Sequence, residues 1–204
     1  MQHIYIFLLA FIVATPALAE ELAATKTSSG AATQSWTSSA HLGFAIVEQS
    51  TTGFDKVSGS LVYLDLTHPL PIGDGRVELG LRTLAQGGQS QEGEFYRMGA
   101  GPVAGFRITD KWTLQASVQS FRESGLNADG EKVYKSTGRT MMLGWERRYE
   151  LLPRLDLAWG GFFSQHDGGM ESLSAASVAS GPGKGVARNQ SLSHGIQMAL
   201  RMRM

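Results

Sequence analysis

The sequence predicts an all-β protein: an eight-stranded antiparallel up-and-down transmembrane β-barrel. Three observations carry that expectation. Apolar and polar residues alternate with period two in segment after segment, the connections between segments alternate short and long, and the polar face is rich in glycine. Glycine supplies 25 of 204 residues, well above the usual level of about 7%, and it is spread along the chain.

The clearest strand begins at Val77, where Val77, Leu79 and Leu81 share one face and Glu78, Gly80 and Arg82 the other. From Tyr96 to Ile108, Tyr96, Met98, Ala100, Ala104 and Phe106 oppose Arg97, Gly99, Gly101, Gly105 and Arg107, with Pro102 interrupting the apolar face. Next, Trp112, Leu114, Ala116 and Val118 oppose Thr113, Gln115, Ser117 and Gln119. Met141, Leu143 and Trp145 oppose Thr140, Gly144 and Glu146; Leu155, Leu157 and Trp159 oppose Asp156, Ala158 and Gly160. The last strand sets Ile196, Met198, Leu200, Met202 and Met204 against Gly195, Gln197, Ala199, Arg201 and Arg203. Two earlier strands complete the set: 36–47, with Leu42, Phe44 and Ile46 on one face, and 57–66, whose faces are mixed and where Asp65 points to Val62, Leu64 and Leu66 as the apolar set.

Short links are expected at 67–76, 109–111 and 149–154, and longer polar ones at 48–56, 85–94, 123–136 and 165–191. Short turns at one end and long loops at the other are the pattern of outer-membrane barrels, with the short turns periplasmic and the long loops outside. An even strand count brings both chain ends to the periplasmic side.

Ahead of the barrel, residues 1–19 combine an apolar run from Ile4 to Val13, Pro16, and the small-x-small sequence Ala17-Leu18-Ala19. They read as a Sec signal peptide cleaved near Ala19. The run is too short for the roughly 20 residues of a spanning helix. Residues 20–34 lack periodicity and are expected to be a flexible periplasmic tail, leaving 35–204 for the barrel. Lys plus Arg and Asp plus Glu both number 18, so no global field favours nucleic acid. With no cysteine, disulfides, thiolate metal sites and a cysteine nucleophile are excluded.

Alternation alone also fits a soluble, periplasmic, lipocalin-like binder with its apolar face inside. The polar face decides against it. Gly80, Gly99, Gly101, Gly105, Gly144, Gly160 and Gly195 fall there, where a narrow lumen needs small side chains, and all the lysines fall in the tail or in links. Turning Arg82, Arg97, Arg107, Arg201 and Arg203 toward lipid costs on the order of 2–4 kcal/mol for each one near the midplane. Inside, these arginines can face Asp65, Glu78, Glu146 and Asp156 in a structural polar network that plugs the lumen. Trp36, Trp112 and Trp145 are expected as an interfacial aromatic belt at the periplasmic ends of strands, with Phe95, Tyr96, Phe121, Tyr134 and Phe163 toward the other rim.

On these features residues 35–204 resemble the small OmpA/OmpX-type outer-membrane barrels. The resemblance rests on the Ala17-Leu18-Ala19 signal ending, the strand-turn rhythm and the final strand HGIQMALRMRM. It implies residence in outer-membrane lipid and recognition of the C-terminal strand by the barrel-assembly machinery. Met204 stands where members of that class usually carry an aromatic residue.

Motifs with a specific mechanism are absent: there is no P-loop, GxSxG, HExxH or EF-hand sequence. His3, His41, His68, His166 and His194 are dispersed, so no metal and no cofactor is expected. Ser164, His166 and Asp167 or Glu171 suggest a lipid-modifying enzyme, but Ser164 and His166 lie on the luminal face, away from lipid. The reading is a monomeric, non-enzymatic barrel whose long loops meet an extracellular ligand, with a small pore or solute conduit as its alternative.

Overall fold

The computed structural model describes residues 38–51, 57–72, 75–90, 93–127, 129–172 and 187–204. The expected signal peptide, the tail and Trp36 lie outside the described residues. Eight strands follow in order: β1 (Ser39–Thr51), β2 (Val57–Pro69), β3 (Val77–Ser90), β4 (Gly93–Arg107), β5 (Trp112–Leu126), β6 (Lys132–Leu152), β7 (Leu155–Ser172) and β8 (Ala187–Arg203). Each pairs antiparallel with the next, and β8 returns to β1 from Ser39↔Arg203 to Thr51↔Ser191, closing the barrel. Closure pairs the strand edges that an open sheet exposes, so the wall can stand in a medium without water.

Side chains alternate across this wall as the sequence dictates. Leu81, Phe163 and Ile196 point outward and are 65–69% exposed, while their neighbours Arg82, Phe162 and Gln197 are buried in the lumen. The mixed strand β2 resolves with Val62, Leu64 and Leu66 outward and Leu61, Tyr63 and Asp65 inward. Pro102 lies within β4 on the outward face. It pairs with Leu81 of β3, whereas the ladder to β5 skips from Ala100↔Ser120 to Val103↔Ser117, the gap expected where proline has no N–H to donate.

Aromatic rings account for part of the luminal glycine. Tyr63 faces Gly43, Phe95 faces Gly88, Tyr134 faces Gly125 and Phe162 faces Gly195, each pair directly opposite across neighbouring strands. A Cβ at any of the four glycines would meet the partner ring at under 3.0 Å. The rings lie over bare backbone, a device that fills a narrow barrel and fixes register. Phe95, Phe121 and Tyr134 thus lie toward the long-link end, as the sequence reading placed them, but point into the lumen or its mouth; Tyr96 and Phe163 face outward.

The expected long links are shorter than the sequence suggests. β1 continues to Thr51, only residues 91 and 92 separate β3 from β4, β5 and β6 are joined through 127–131, and β7 and β8 reach Ser172 and Ala187. In these extensions both faces are polar: Arg122, Glu123 and Ser124 on β5 pair with Thr137, Ser136 and Lys135 on β6. Beyond the apolar zone a ladder no longer needs alternation, so the hydrogen-bonded wall outruns its sequence signature.

At the opposite end the connections are tight. Thr109 Oγ1 accepts from the N–H groups of Lys111 (3.3 Å) and Trp112 (3.1 Å) in the β4–β5 turn. Only Pro153 and Arg154 join β6 to β7. Gly75, ahead of β3, takes φ of 73°, a left-handed backbone that glycine adopts without strain.

Candidate functional site

The lumen is built in three layers. Toward the short-turn end, Asp65 and Arg82 are directly opposite on β2 and β3. Arg82 donates Nε to Asp65 Oδ1 (2.7 Å) and Nη2 to Oδ2 (2.6 Å), a bidentate fork. It also donates Nη2 to Gln115 Oε1 at 2.8 Å, and its guanidinium lies 4.5 Å from the centre of the Tyr63 ring. Below this pair, Glu78 Oε1 accepts from Arg201 Nη2 (2.7 Å) and Arg107 Nη2 (2.8 Å), and Arg148 Nη1 stands 3.8 Å away. Arg148 donates Nε to Glu146 Oε1 at 3.0 Å. Arg203, partly exposed at the rim, bridges Asp156 (3.0 Å) and Glu150 (3.3 Å).

The middle layer is largely apolar, with Ser117 and Gln119 of β5 and Gln197 of β8 buried at its edge. Ala45, Val47, Leu61, Tyr63, Leu84, Met142, Ala158, Phe162 and Ala199 form one buried cluster. Along β3 the inward residues run Arg82, Leu84, Gln86; along β7 they run Asp156, Ala158, Gly160, Phe162, Ser164, His166. On these two strands polar positions are separated by apolar ones, whereas β5 stays polar on its inward side from Thr113 to Gln119. The polar side chains expected in the lumen share it with this apolar cluster, because period-two reading assigns each strand one polar face and does not register apolar positions within it.

Toward the long-link end the second polar layer begins. Arg97 forms an ion pair with Glu123, Nε donating to Oε2 at 2.7 Å, and donates Nη1 to Gln86 Oε1 at 3.1 Å. Tyr134 O–H donates to Glu123 Oε1 at 2.9 Å, and the Arg97 guanidinium sits 4.9 Å from the Phe121 ring centre. Beside it, His166 is buried, with Nδ1 at 2.7 Å from Thr140 Oγ1 and Nε2 at 2.8 Å from Ser193 Oγ and 3.3 Å from Ser164 Oγ.

The sequence reading grouped Arg97 with Asp65, Glu78, Glu146 and Asp156. The structure separates it from them: Arg97 belongs to the far layer and its partner is Glu123, which had been assigned to a link. Arg148 was also missed. Continuing the parity one or two inward positions past the recognised alternation places both correctly, since Glu123 follows Gln119 and Phe121 inward and Arg148 follows Glu146. Ser164 and His166 are luminal, on β7. Among the described residues the two His166 ring nitrogens face hydroxyl groups, those of Thr140, Ser193 and Ser164.

On the outer wall, Trp145 contacts both Trp112 and Trp159, with ring centres 5.6 Å apart in each pair. Arg147 also faces outward. Its guanidinium is 5.6 Å from the Trp112 ring centre and 5.2 Å from that of Tyr149, so two aromatic faces shelter the charge. Sequence reasoning did not place this arginine on the outward face. Among the described residues no group of acids and histidines is arranged to hold a metal ion.

No family model matches the chain, and no curated protein matches it significantly. Among solved structures, neisserial surface protein A is 14% identical with a TM-score of 0.52, over 82% of this chain and 97% of its own. The attachment invasion locus protein Ail of Yersinia pestis is 11% identical (TM-score 0.45; 82% and 99% covered), and the outer membrane protease OmpT of Escherichia coli 10% identical (0.40; 85% and 99%). The first of these likenesses agrees with the strand order and the closed ring: in fold, the chain is a closed eight-stranded antiparallel barrel similar to neisserial surface protein A.

Proposed function

We propose that this protein is a bacterial outer-membrane barrel with no enzymatic activity and no open pore, acting as a wall component that displays its polar strand extensions and longer links at the cell surface. One observation carries the reading: large apolar side chains cover the outside of the strands while the inside is packed. Monomeric soluble proteins rarely expose contiguous apolar patches beyond a few hundred Å². Here the outward apolar residues extend over all eight strands, from Phe44 on β1 to Met202 on β8. The same fact speaks against a soluble lipocalin-like binder, whose apolar face turns inward.

The closed interior supports the second half of the reading. An ion entering from either end meets the buried cluster of Tyr63, Leu84, Met142 and Phe162, where it loses its hydration while the Arg82 guanidinium that touches the cluster is already paired with Asp65. In planar bilayers the refolded chain is expected to give no unit conductance above the lipid baseline. Stable current steps in 1 M KCl would instead identify a pore. Replacing Phe162, Met142 and Leu84 together by alanine is expected to create intermittent conductance, because it removes the widest part of the cluster.

A further inference from the structure

We propose that Arg122, Lys135 and Arg139 form a cationic facet on the lipid-facing side of β5 and β6 that binds the phosphate groups of a phosphorylated glycolipid in the leaflet around the barrel. The inference rests on the membrane reading above and adds a ligand to it.

Register brings the three cations together. Arg122 is directly opposite Thr137, and Lys135 and Arg139 lie two residues to either side of Thr137 on β6. All three point outward, alternating with the buried Glu123, Ser136 and Thr140. The hydroxyl residues Ser120 and Ser124 lie opposite Arg139 and Lys135, adding neutral donors between the charges. None of the three cations joins an ion pair or hydrogen bond among the described residues. Two acids bound the facet on its far side, Asp167 opposite Arg139 and Glu171 opposite Lys135 on β7. On the near side Met98 is opposite Arg122, and Glu94 further along β4 accepts the Tyr96 hydroxyl at 2.7 Å. The facet therefore opens toward β4 and β5. At the same end of the neighbouring strands, the outward residues Glu48, Ser58, Gln89 and Glu94 include no lysine or arginine.

Height selects the ligand. Arg122 lies ten residues along β5 from Trp112, and Arg139 ten residues along β6 from Tyr149. At about 3.3 Å per residue and a tilt near 40°, ten residues rise about 25 Å, the height of the apolar band of such barrels. With the tryptophan end at one interface, Arg122 and Arg139 stand at the other, Arg139 directly above Met141 and Arg122 above Val118 and Ser120. Lys135 is four residues higher, roughly 10 Å further from the hydrocarbon. Cations flush with the apolar edge suit a molecule with both acyl chains and phosphate. Cations at two heights suit a tall headgroup with more than one phosphate over a phospholipid, whose single phosphate lies at one level.

The test is titration of the refolded full chain, in zwitterionic micelles, with a bisphosphorylated glucosamine-disaccharide lipid. Each Lys or Arg near an anionic surface contributes about five-fold in affinity. Arg122→Gln or Arg139→Gln is expected to weaken binding about five-fold, and the triple variant R122Q/K135Q/R139Q on the order of a hundred-fold. Arg139→Lys, which keeps the charge, is expected to retain most of the affinity. The dephosphorylated lipid and phosphatidylglycerol should bind wild type no better than the bisphosphorylated lipid binds the triple variant. Equal binding by wild type and the triple variant overturns the proposal. So does equal binding of the dephosphorylated lipid, or displacement of the glycolipid by equimolar inorganic phosphate. Folding is followed separately by the gel shift on boiling. A wild-type chain that does not fold in micelles overturns the membrane reading and the facet with it, whereas a folded barrel without phosphate-dependent binding overturns the facet alone.

Discussion

Arg82→Met is expected to lower the unfolding free energy of the refolded barrel by about 3–5 kcal/mol, read as a fall in the urea midpoint of tryptophan fluorescence. Asp65 is completely buried, and its two carboxylate oxygens are held by Arg82 Nε and Nη2. Removing the guanidinium leaves a charge with neither water nor its fork of donors. Removing both charges is a different experiment. Asp65→Leu combined with Arg82→Met exchanges a desolvated pair for apolar groups beside Tyr63 and Met142, and is expected to recover most of the loss. A double variant as unstable as the sum of the singles would show that the two residues act independently. Arg203 supplies the scale. It is 39% exposed at the rim, so Arg203→Met is expected to cost less than about 1 kcal/mol.

The second large effect lies on the other face of the wall. Leu143→Arg is expected to cost about 2–4 kcal/mol in lipid, against about 0–1 kcal/mol for Gln89→Arg. Leu143 is 60% exposed on β6, six residues from Tyr149 and four from Arg139, near the middle of the apolar band. Gln89 is outward on β3 beyond that band. In a protein dissolved in water both substitutions would be nearly neutral, because both sites are exposed. Equal and small costs in vesicles would therefore argue against lipid contact at Leu143. Arg147 shows how the wall tolerates a lipid-facing cation: it lies two residues from Tyr149 and between two aromatic faces, close enough to the interface for its head to reach water.

How much of this was legible beforehand follows from what a strand must satisfy. Where an apolar outer face opposes a polar lumen, as from Val77 to Arg82 or Trp112 to Gln119, the sequence alternates and the strand can be read residue by residue. Two circumstances hide it. Beyond the apolar band both faces are wet, so the ends of β3, β5 and β7 look like loops although their ladders continue. Within the apolar cluster both faces are apolar, so Leu61-Val62-Tyr63-Leu64 on β2 shows no period. The lumen's pairing was less legible still. That Arg97 meets Glu123 and Arg82 meets Asp65 depends on register between strands, which the links set and composition does not reveal. The facet of Arg122, Lys135 and Arg139 was invisible for the same reason: its members come from a stretch with no alternation and meet only through the β5–β6 ladder.

The central claim is that one face of each strand meets hydrocarbon and the other a packed lumen. Because the chain has no cysteine, single cysteines can be placed in turn from Thr140 to Glu146 and spin-labelled in vesicles. The account predicts that oxygen, which partitions into lipid, relaxes labels at 141, 143 and 145 strongly. Labels at 140, 142, 144 and 146 should be immobile and inaccessible to oxygen and to a water-soluble nickel complex alike. The opposite phase, or uniform access of the nickel complex along the whole segment, would contradict it.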